Sequence, residues 1–148
     1  MPSTAAQPLT TPTTTPASAS SPAAGWPRIV VADDHPFCLM ALEQELRAAI
    51  DCEIVSCEHG HAAWAALRAR PAAMLLTDLD LPGMDGLTLA RSIRNLEQRD
   101  DTPRLPIVAV TATAAGEKAQ ACLTAGIDVV LQKPVTAAML GGVLGELL

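Results

Sequence analysis

Two aspartates that could do chemistry stand two positions apart in the stretch LLTDLDLPGMDGL, residues 75–87. Asp78 ends an apolar run, Asp80 follows it, and a proline and two glycines then interrupt the chain. Such a pair could be a nucleophile with its general acid, part of a metal site, or only the polar end of a buried strand. The residues that end the other apolar runs bear on this choice.

Polar residues end three other apolar runs. Asp33 and Asp34 follow the run that begins at Arg28, Thr111 ends a run rich in valine, and Lys133 follows the last run. A single acid at such a position is commonly just the approach to a helix, where the helix dipole favours negative charge. Acids, a hydroxyl and a lysine at several run ends indicate instead that the fold brings them together.

Short aliphatic runs alternate with helical patterns from Trp26 onward. The apolar spacing between and after these runs predicts five helices. The inner runs are apolar throughout, which indicates a parallel sheet covered on both faces. We therefore predict a doubly wound α/β fold with a five-stranded parallel sheet, its strands over residues 28–34, 53–57, 73–78, 106–112 and 128–132.

Ligands of such sheets bind outside the carboxyl ends of the strands, which right-handed crossovers bring to one edge. Carboxylates gathered there, from Asp33, Asp34 and Asp78, repel one another unless a cation joins them. Without histidine or cysteine at the strand ends, the oxygen ligands select Mg²⁺, or Mn²⁺ in its place, over zinc. Lys133 and Thr111 suit phosphate oxygens. Asp78, placed among these groups, could attack phosphorus as a nucleophile.

Four stretches, VADDHP, LLTDLDLPGMDGL, PIVAVTA and LQKP, stand in this order at the predicted strand ends. Together they resemble the receiver domain of response regulators in two-component systems. The sequence CLTAGIDVVLQKP and the preceding tail most resemble receivers attached to hybrid sensor histidine kinases. The resemblance implies a flavodoxin-like (βα)5 fold with strand order 2-1-3-4-5.

The resemblance also implies roles for the acidic residues. Asp78 would be the phosphoacceptor in a histidine-to-aspartate phosphorelay and would take its phosphoryl group from a partner phosphohistidine. Asp34, Asp78 and the backbone carbonyl of Asp80 would ligate Mg²⁺, and Asp33 would assist through water.

Two further residues complete the site that the resemblance implies. Thr111 would close on the phosphoryl group as the switch residue, and Lys133 would pair with that group. Receivers assist their own phosphorylation and dephosphorylation, so we do not expect an enzyme with independent substrate turnover. The partner would be a sensor histidine kinase or a histidine phosphotransfer protein. Phosphorylation could also favour a dimer through the fourth helix, the fifth strand and the fifth helix.

One position departs from the receiver pattern, and two alternatives stay open. Val130 stands where receivers commonly carry tyrosine or phenylalanine, so no output through an aromatic rotamer is expected. A pseudo-receiver would bind partners without phosphorylation, although no site residue is missing. A haloacid-dehalogenase-like phosphatase would use Asp78 as nucleophile and Asp80 as general acid. That family has its D-x-D motif on the first strand, whereas here the acidic pair comes first.

The composition bears on partners and location. The chain has 148 residues and a net charge of −6, with no cluster of lysine or arginine, so direct binding of nucleic acid is not expected. No apolar run is long enough to span a bilayer, so no membrane insertion is expected, and the amino-terminal residues do not resemble a signal peptide. We expect residues 1–27, rich in Pro, Ser, Thr and Ala, to be a disordered tail or linker. Residues 28–148 are expected to form the receiver domain of a cytoplasmic protein.

Overall fold

The computed structural model describes residues 25–148, so residues 1–24 of the predicted tail lie outside the described residues. None of the helices within the described part of the chain is long and apolar enough to cross a membrane. Five strands and five helices alternate: β1 Arg28–Ala32, α1 Pro36–Ala49, β2 Glu53–Cys57, α2 Gly60–Ala69, β3 Met74–Asp78, α3 Gly86–Asp100, β4 Ile107–Thr111, α4 Glu117–Ala125, β5 Val129–Gln132 and α5 Ala137–Leu147.

The five strands form one parallel sheet in the order β2-β1-β3-β4-β5. The predicted doubly wound α/β fold and its flavodoxin-like strand order are therefore confirmed. The register places Val30 of β1 beside Val55 of β2 on one side and Leu75 of β3 on the other. Every residue of β1, β3 and β4 is buried, which explains why their sequences show no polar alternation.

The sheet separates two apolar cores because successive strand residues point to opposite faces. Val30 faces the core that includes residues of α2, α3 and α4. Ile29 and Val31 face the other core, which α1 and α5 cover through residues such as Leu46 and Leu140. The two helical layers therefore fix β1, β3 and β4 on both faces and hold their carboxyl ends at a common edge.

β1 is shorter than the predicted strand over residues 28–34 and ends at Ala32. The backbone N–H of Asp33 still donates to Cys57 O at 3.0 Å, but its carboxylate Oδ1 accepts from the backbone N–H of His35 at 2.9 Å. This local turn ends β1, because the backbone N–H of His35 bonds to the Asp33 side chain and not to a neighbouring strand.

β4 ends in a similar way, at Thr111 and not at residue 112 as predicted. Thr111 Oγ1 accepts a hydrogen bond from the backbone N–H of Thr113 at 3.3 Å, which turns the chain out of the sheet. At the opposite edge β3, β4 and β5 begin one residue later than predicted, at Met74, Ile107 and Val129. The β5 difference has a local cause, since the Asp128 carboxylate accepts from the backbone N–H of Ile107.

Candidate functional site

Three aspartates lie together at the carboxyl edge of the sheet. Asp78 is the last residue of β3, while Asp33 and Asp34 follow the neighbouring strand β1. One carboxylate oxygen from each lies within 4.8 Å of the other two. Asp33 and Asp78 are buried, with exposed fractions of 1% and 8%, whereas Asp34 is exposed. Solvent therefore reaches the cluster on the Asp34 side.

Lys133 connects two of these carboxylates. Its Nζ donates to Asp33 Oδ2 at 3.0 Å and to Asp78 Oδ2 at 2.9 Å. Burial acts to lower the pKa of Lys133, but its hydrogen bonds to Asp78 and Asp33 outweigh burial and hold the pKa above its ordinary value. Lys133 is therefore an ammonium ion at neutral pH. Three carboxylates and one ammonium leave a net of two negative charges at this edge.

Lys133 reaches the cluster because it directly follows β5. Its backbone N–H donates to Thr111 O at 2.8 Å, which extends the pairing of β4 and β5 by one residue. The next two positions, Pro134 and Val135, line a cavity of about 290 Å³ between α1 and this loop. Lys133 and Asp33 line the same cavity, so it belongs to the site.

Thr111 lies at the same edge but does not contact the charged cluster through its hydroxyl. Asp78 pairs with Val110 in the sheet, so Thr111 stands one residue beyond the level of Asp78. Thr111 is 1% exposed, and its hydroxyl accepts the hydrogen bond from Thr113. The Thr111 hydroxyl accepts through a lone pair, so its O–H remains able to donate to a phosphoryl oxygen.

Asp80 lies in the loop after β3, with its side chain exposed. Its backbone N–H donates to Asp78 Oδ1 at 3.2 Å, so the loop backbone contacts the carboxylate directly. The Asp80 carboxylate is not part of the three-residue cluster. The family resemblance implies that a metal ion would bind the backbone carbonyl of Asp80 and not this carboxylate.

Two glycines that the sequence reasoning missed hold this loop in place. Gly86 begins α3 and donates from its backbone N–H to Leu79 O at 2.9 Å, and a Cβ at Gly86 would lie 2.5 Å from Asp78 O. A Cβ at Gly60, in α2, would lie 1.9 Å from Met84 O. Gly86 had a sequence signal in the turn-like PGMDG stretch, but Gly60 had none, because its neighbour Met84 lies in the loop between β3 and α3, far from Gly60 in the sequence.

The donor set fits a hard divalent cation. The clustered atoms are all carboxylate oxygens, which Mg²⁺ prefers, and the exposed Asp34 leaves an open side for the waters that Mg²⁺ retains. The residues that would hold the ion are Asp33, Asp34 and Asp78. A bound Mg²⁺ would add positive charge beside Asp78, where the oxygens of a phosphoryl group carry negative charge.

The sequence model of the response regulator receiver domain family matches residues 29–143. The chain belongs to this family, and its fold and acidic edge agree with that assignment. The family assignment gives no support to a haloacid-dehalogenase-like phosphatase.

The sequence relatives specify the kind of receiver. The sensor histidine kinase GacS of Pseudomonas protegens is 36% identical over 118 residues, which are 79% of this chain and 13% of that kinase. The sensor histidine kinase RcsC of Salmonella typhimurium is 36% identical over 108 residues, which are 73% of this chain and 11% of that kinase. The chain thus spans about an eighth or less of the length of these relatives. The predicted likeness to receivers attached to hybrid sensor kinases is confirmed.

Solved structures show the same domain. The receiver domain of sensor histidine kinase PA1611 from Pseudomonas aeruginosa is 28% identical with a TM-score of 0.73, and the match covers 83% of this chain and 98% of that one. Its structure has a magnesium ion coordinated in the active site cleft. The receiver domain of the histidine kinase CKI1 from Arabidopsis thaliana, complexed with Mg²⁺ and BeF₃⁻, is 25% identical with a TM-score of 0.73. That match covers 82% of this chain and 89% of the CKI1 chain.

Proposed function

We propose that Asp78 accepts a phosphoryl group from the phosphohistidine of a sensor histidine kinase or a histidine phosphotransfer protein. A carboxylate oxygen of Asp78 forms a bond to phosphorus as the phosphorus–nitrogen bond of the phosphohistidine breaks, and the electron pair leaves on the imidazole nitrogen. The observation that supports this most directly is the ammonium group of Lys133, which lies 2.9 Å from Asp78 in a cluster of three carboxylates.

Lys133 and Thr111 are the proposed partners of the phosphoryl oxygens. An ammonium group has three donors, and Asp33 and Asp78 take two of those on Lys133, so one donor is left for an incoming oxygen. The hydroxyl of Thr111 would donate its O–H to a phosphoryl oxygen, since it accepts from the Thr113 N–H only through a lone pair. Movement of Thr111 toward the phosphoryl group would shift the backbone between β4 and α4 and would carry the signal.

The proposed metal ligands are the carboxylates of Asp33, Asp34 and Asp78, directly or through water, and the backbone carbonyl of Asp80. Mg²⁺ is the proposed ion, and Mn²⁺ can stand in for it because it accepts the same oxygen ligands. Within this arrangement the protein assists its own phosphorylation and dephosphorylation without turning over an independent substrate.

The proposed setting is a cytoplasmic phosphorelay in which the chain acts as a relay or switch. The net charge of −6 supports protein partners over nucleic acid. Val130 is half-buried in β5 and lacks the ring that an aromatic switch needs, which supports output through the backbone and through α4. Leu123 of α4 is 59% exposed, which supports a phosphorylation-linked dimer through the face of α4, β5 and α5.

A thermal melt with BeF₃⁻, which mimics a phosphoryl group on a carboxylate, tests the proposal. Mg²⁺ with BeF₃⁻ is expected to raise the Tm of the wild type above its value with Mg²⁺ alone, and Asp78→Asn is expected to abolish this second rise. Asp51→Asn, an exposed aspartate in the loop after α1, is the matched control and should behave as the wild type. No second rise in the wild type would favour the pseudo-receiver.

A further inference from the structure

A second cavity lies at the amino edge of the sheet, opposite Asp78. It is a groove of about 570 Å³ between α2 and α3, bounded by the loop that precedes β4. Its walls include Trp64 and Leu67 from α2 and Ile93 and Leu96 from α3. This volume falls within the range of pockets that hold small organic molecules.

Arginines line the rim of this groove. The guanidinium carbon of Arg68 lies 5.5 Å from the centroid of the Trp64 ring. Arg104, on the opposite side, pairs with Asp128 at 2.8 Å. Within residues 25–148, no carboxylate lies within ion-pair distance of Arg68. The groove therefore presents one uncompensated positive charge directly above an indole face.

Two acids also line the groove, but neighbouring groups engage both. Glu97 accepts two hydrogen bonds from Arg94, at 2.9 and 3.0 Å, and one from the backbone N–H of Leu105 at 2.7 Å. Asp100 forms an ion pair with Arg99 at 3.6 Å. Neither acid therefore cancels the positive charge at the rim.

We propose that this groove binds a planar aromatic anion about the size of a two-ring carboxylate. The rings would pack against the aliphatic walls beside Trp64, one face of which Arg68 covers, and the carboxylate would pair with Arg68. Stacking on Trp64 holds the Arg68 guanidinium over the groove, so the cation is in place before the ligand binds. The site does not use Asp78, and its test is independent of phosphorylation.

NMR titration of the ¹⁵N-labelled full chain with 2-naphthoate tests the site. The chain has two tryptophans, and the indole N–H signal of Trp64 should shift saturably while that of Trp26 stays in place. A Trp26→Phe variant assigns the two signals. The uncharged analogue 2-naphthamide should bind more weakly, because it keeps the rings and loses the charge.

Charge variants complete the test. Arg68→Gln should weaken naphthoate binding about threefold to fivefold, the scale of an exposed ion pair. Arg68→Lys should keep most of the affinity, and Arg47→Gln, an exposed arginine on α1, should change nothing. Amide spectra of each variant confirm that it is folded. The proposal is overturned if the Trp64 signal does not shift in the wild type. It is also overturned if the wild type binds 2-naphthamide as tightly as 2-naphthoate and Arg68→Gln binds 2-naphthoate as tightly as the wild type does.

Discussion

The ammonium nitrogen of Lys133 lies 2.9 Å from a carboxylate oxygen of Asp78, although 55 residues separate the two in the chain. The sheet accounts for this contact, because β4 alone stands between the strand that ends at Asp78 and the strand that precedes Lys133. A buried acid thus has a cationic partner before any metal ion or phosphoryl group binds. The contact therefore contributes both to the stability of the fold and to the proposed chemistry.

Replacing Lys133 by methionine should destabilise the metal-free protein. The buried carboxylates of Asp33 and Asp78 would each lose a charged hydrogen-bond partner, and we expect the free energy of unfolding to fall by about 1–3 kcal/mol. Urea denaturation measures this change. Lys118→Met on α4 is the control and should stay close to the wild type. Equal losses in both variants would show that the ion pairs of Lys133 add nothing.

The pH dependence of this loss has a defined sign. Because the pKa of Lys133 is raised in the folded state, its stabilising contribution is fully present below the unfolded pKa of about 10.4. It is lost as the pH rises through the folded pKa. The difference in the free energy of unfolding between the wild type and Lys133→Met should therefore stay constant from about pH 7 to 9. It should become smaller only at more alkaline pH. A difference that becomes smaller near neutral pH would contradict the raised pKa.

Magnesium should stabilise the protein through the acidic cluster. At a Mg²⁺ concentration a hundred times the Kd, linkage predicts a gain of about 2.7 kcal/mol in the free energy of unfolding. Asp34→Asn should remove most of this gain, since Asp34 is the exposed acid of the cluster. Denaturant melts with and without Mg²⁺ measure the difference. If Asp34→Asn gains as much from Mg²⁺ as Asp51→Asn, the cluster is not the metal site.

The glycine beside Asp78 should not tolerate a side chain. Gly86→Ala would place a methyl group 2.5 Å from Asp78 O, and we expect a cost of about 1–3 kcal/mol in stability. Gly142→Ala is the matched control, because no atom outside its chain neighbours and the nearby backbone of its own helix lies within 4 Å of its added Cβ. That exposed position on α5 should gain about 0.4–1 kcal/mol. Equal stability of the two variants, measured in urea, would contradict the close approach at Gly86.

Two exposed positions should set the lifetime of a phosphoryl group on Asp78. Asp80 and Thr113 lie two residues beyond Asp78 and Thr111 and are exposed, so we expect water to approach the phosphoryl group past their side chains. Larger apolar replacements, Asp80→Leu and Thr113→Leu, should exclude water and slow the decay several-fold. Decay of the phosphorylated protein after removal of the donor measures the rate. Unchanged rates in both variants would show that these side chains do not control access of water.

The fold was predictable because its inner strands are apolar on both faces. Val30, Leu75 and Val108 belong to continuous apolar runs, whereas a strand with one face in solvent alternates apolar and polar residues. The sequence therefore indicated a parallel sheet covered on both faces. The strand ends were less predictable. β1 stops at Ala32 because the Asp33 carboxylate accepts from His35, and a side-chain contact of this kind leaves no periodic pattern.

The charged members of the site were predictable for a related reason. In a parallel sheet the carboxyl ends of the strands share an edge, so the sequence alone predicts that Asp33, Asp78 and Lys133 lie together. The sequence does not show which of these residues contact one another. The pairing of Lys133 with both acids and the closeness of Gly60 to Met84 depend on packing between distant elements.

The most direct test of the central claim is the intact mass of the protein after incubation with a small acyl-phosphate donor. Wild type and Asp78→Asn are compared with and without Mg²⁺, and Asp51→Asn serves as the control. We predict a gain of one phosphoryl group that requires Mg²⁺, occurs in the control and is absent from Asp78→Asn. No gain in the wild type, or an undiminished gain in Asp78→Asn, would contradict the assignment of Asp78 as the phosphoacceptor.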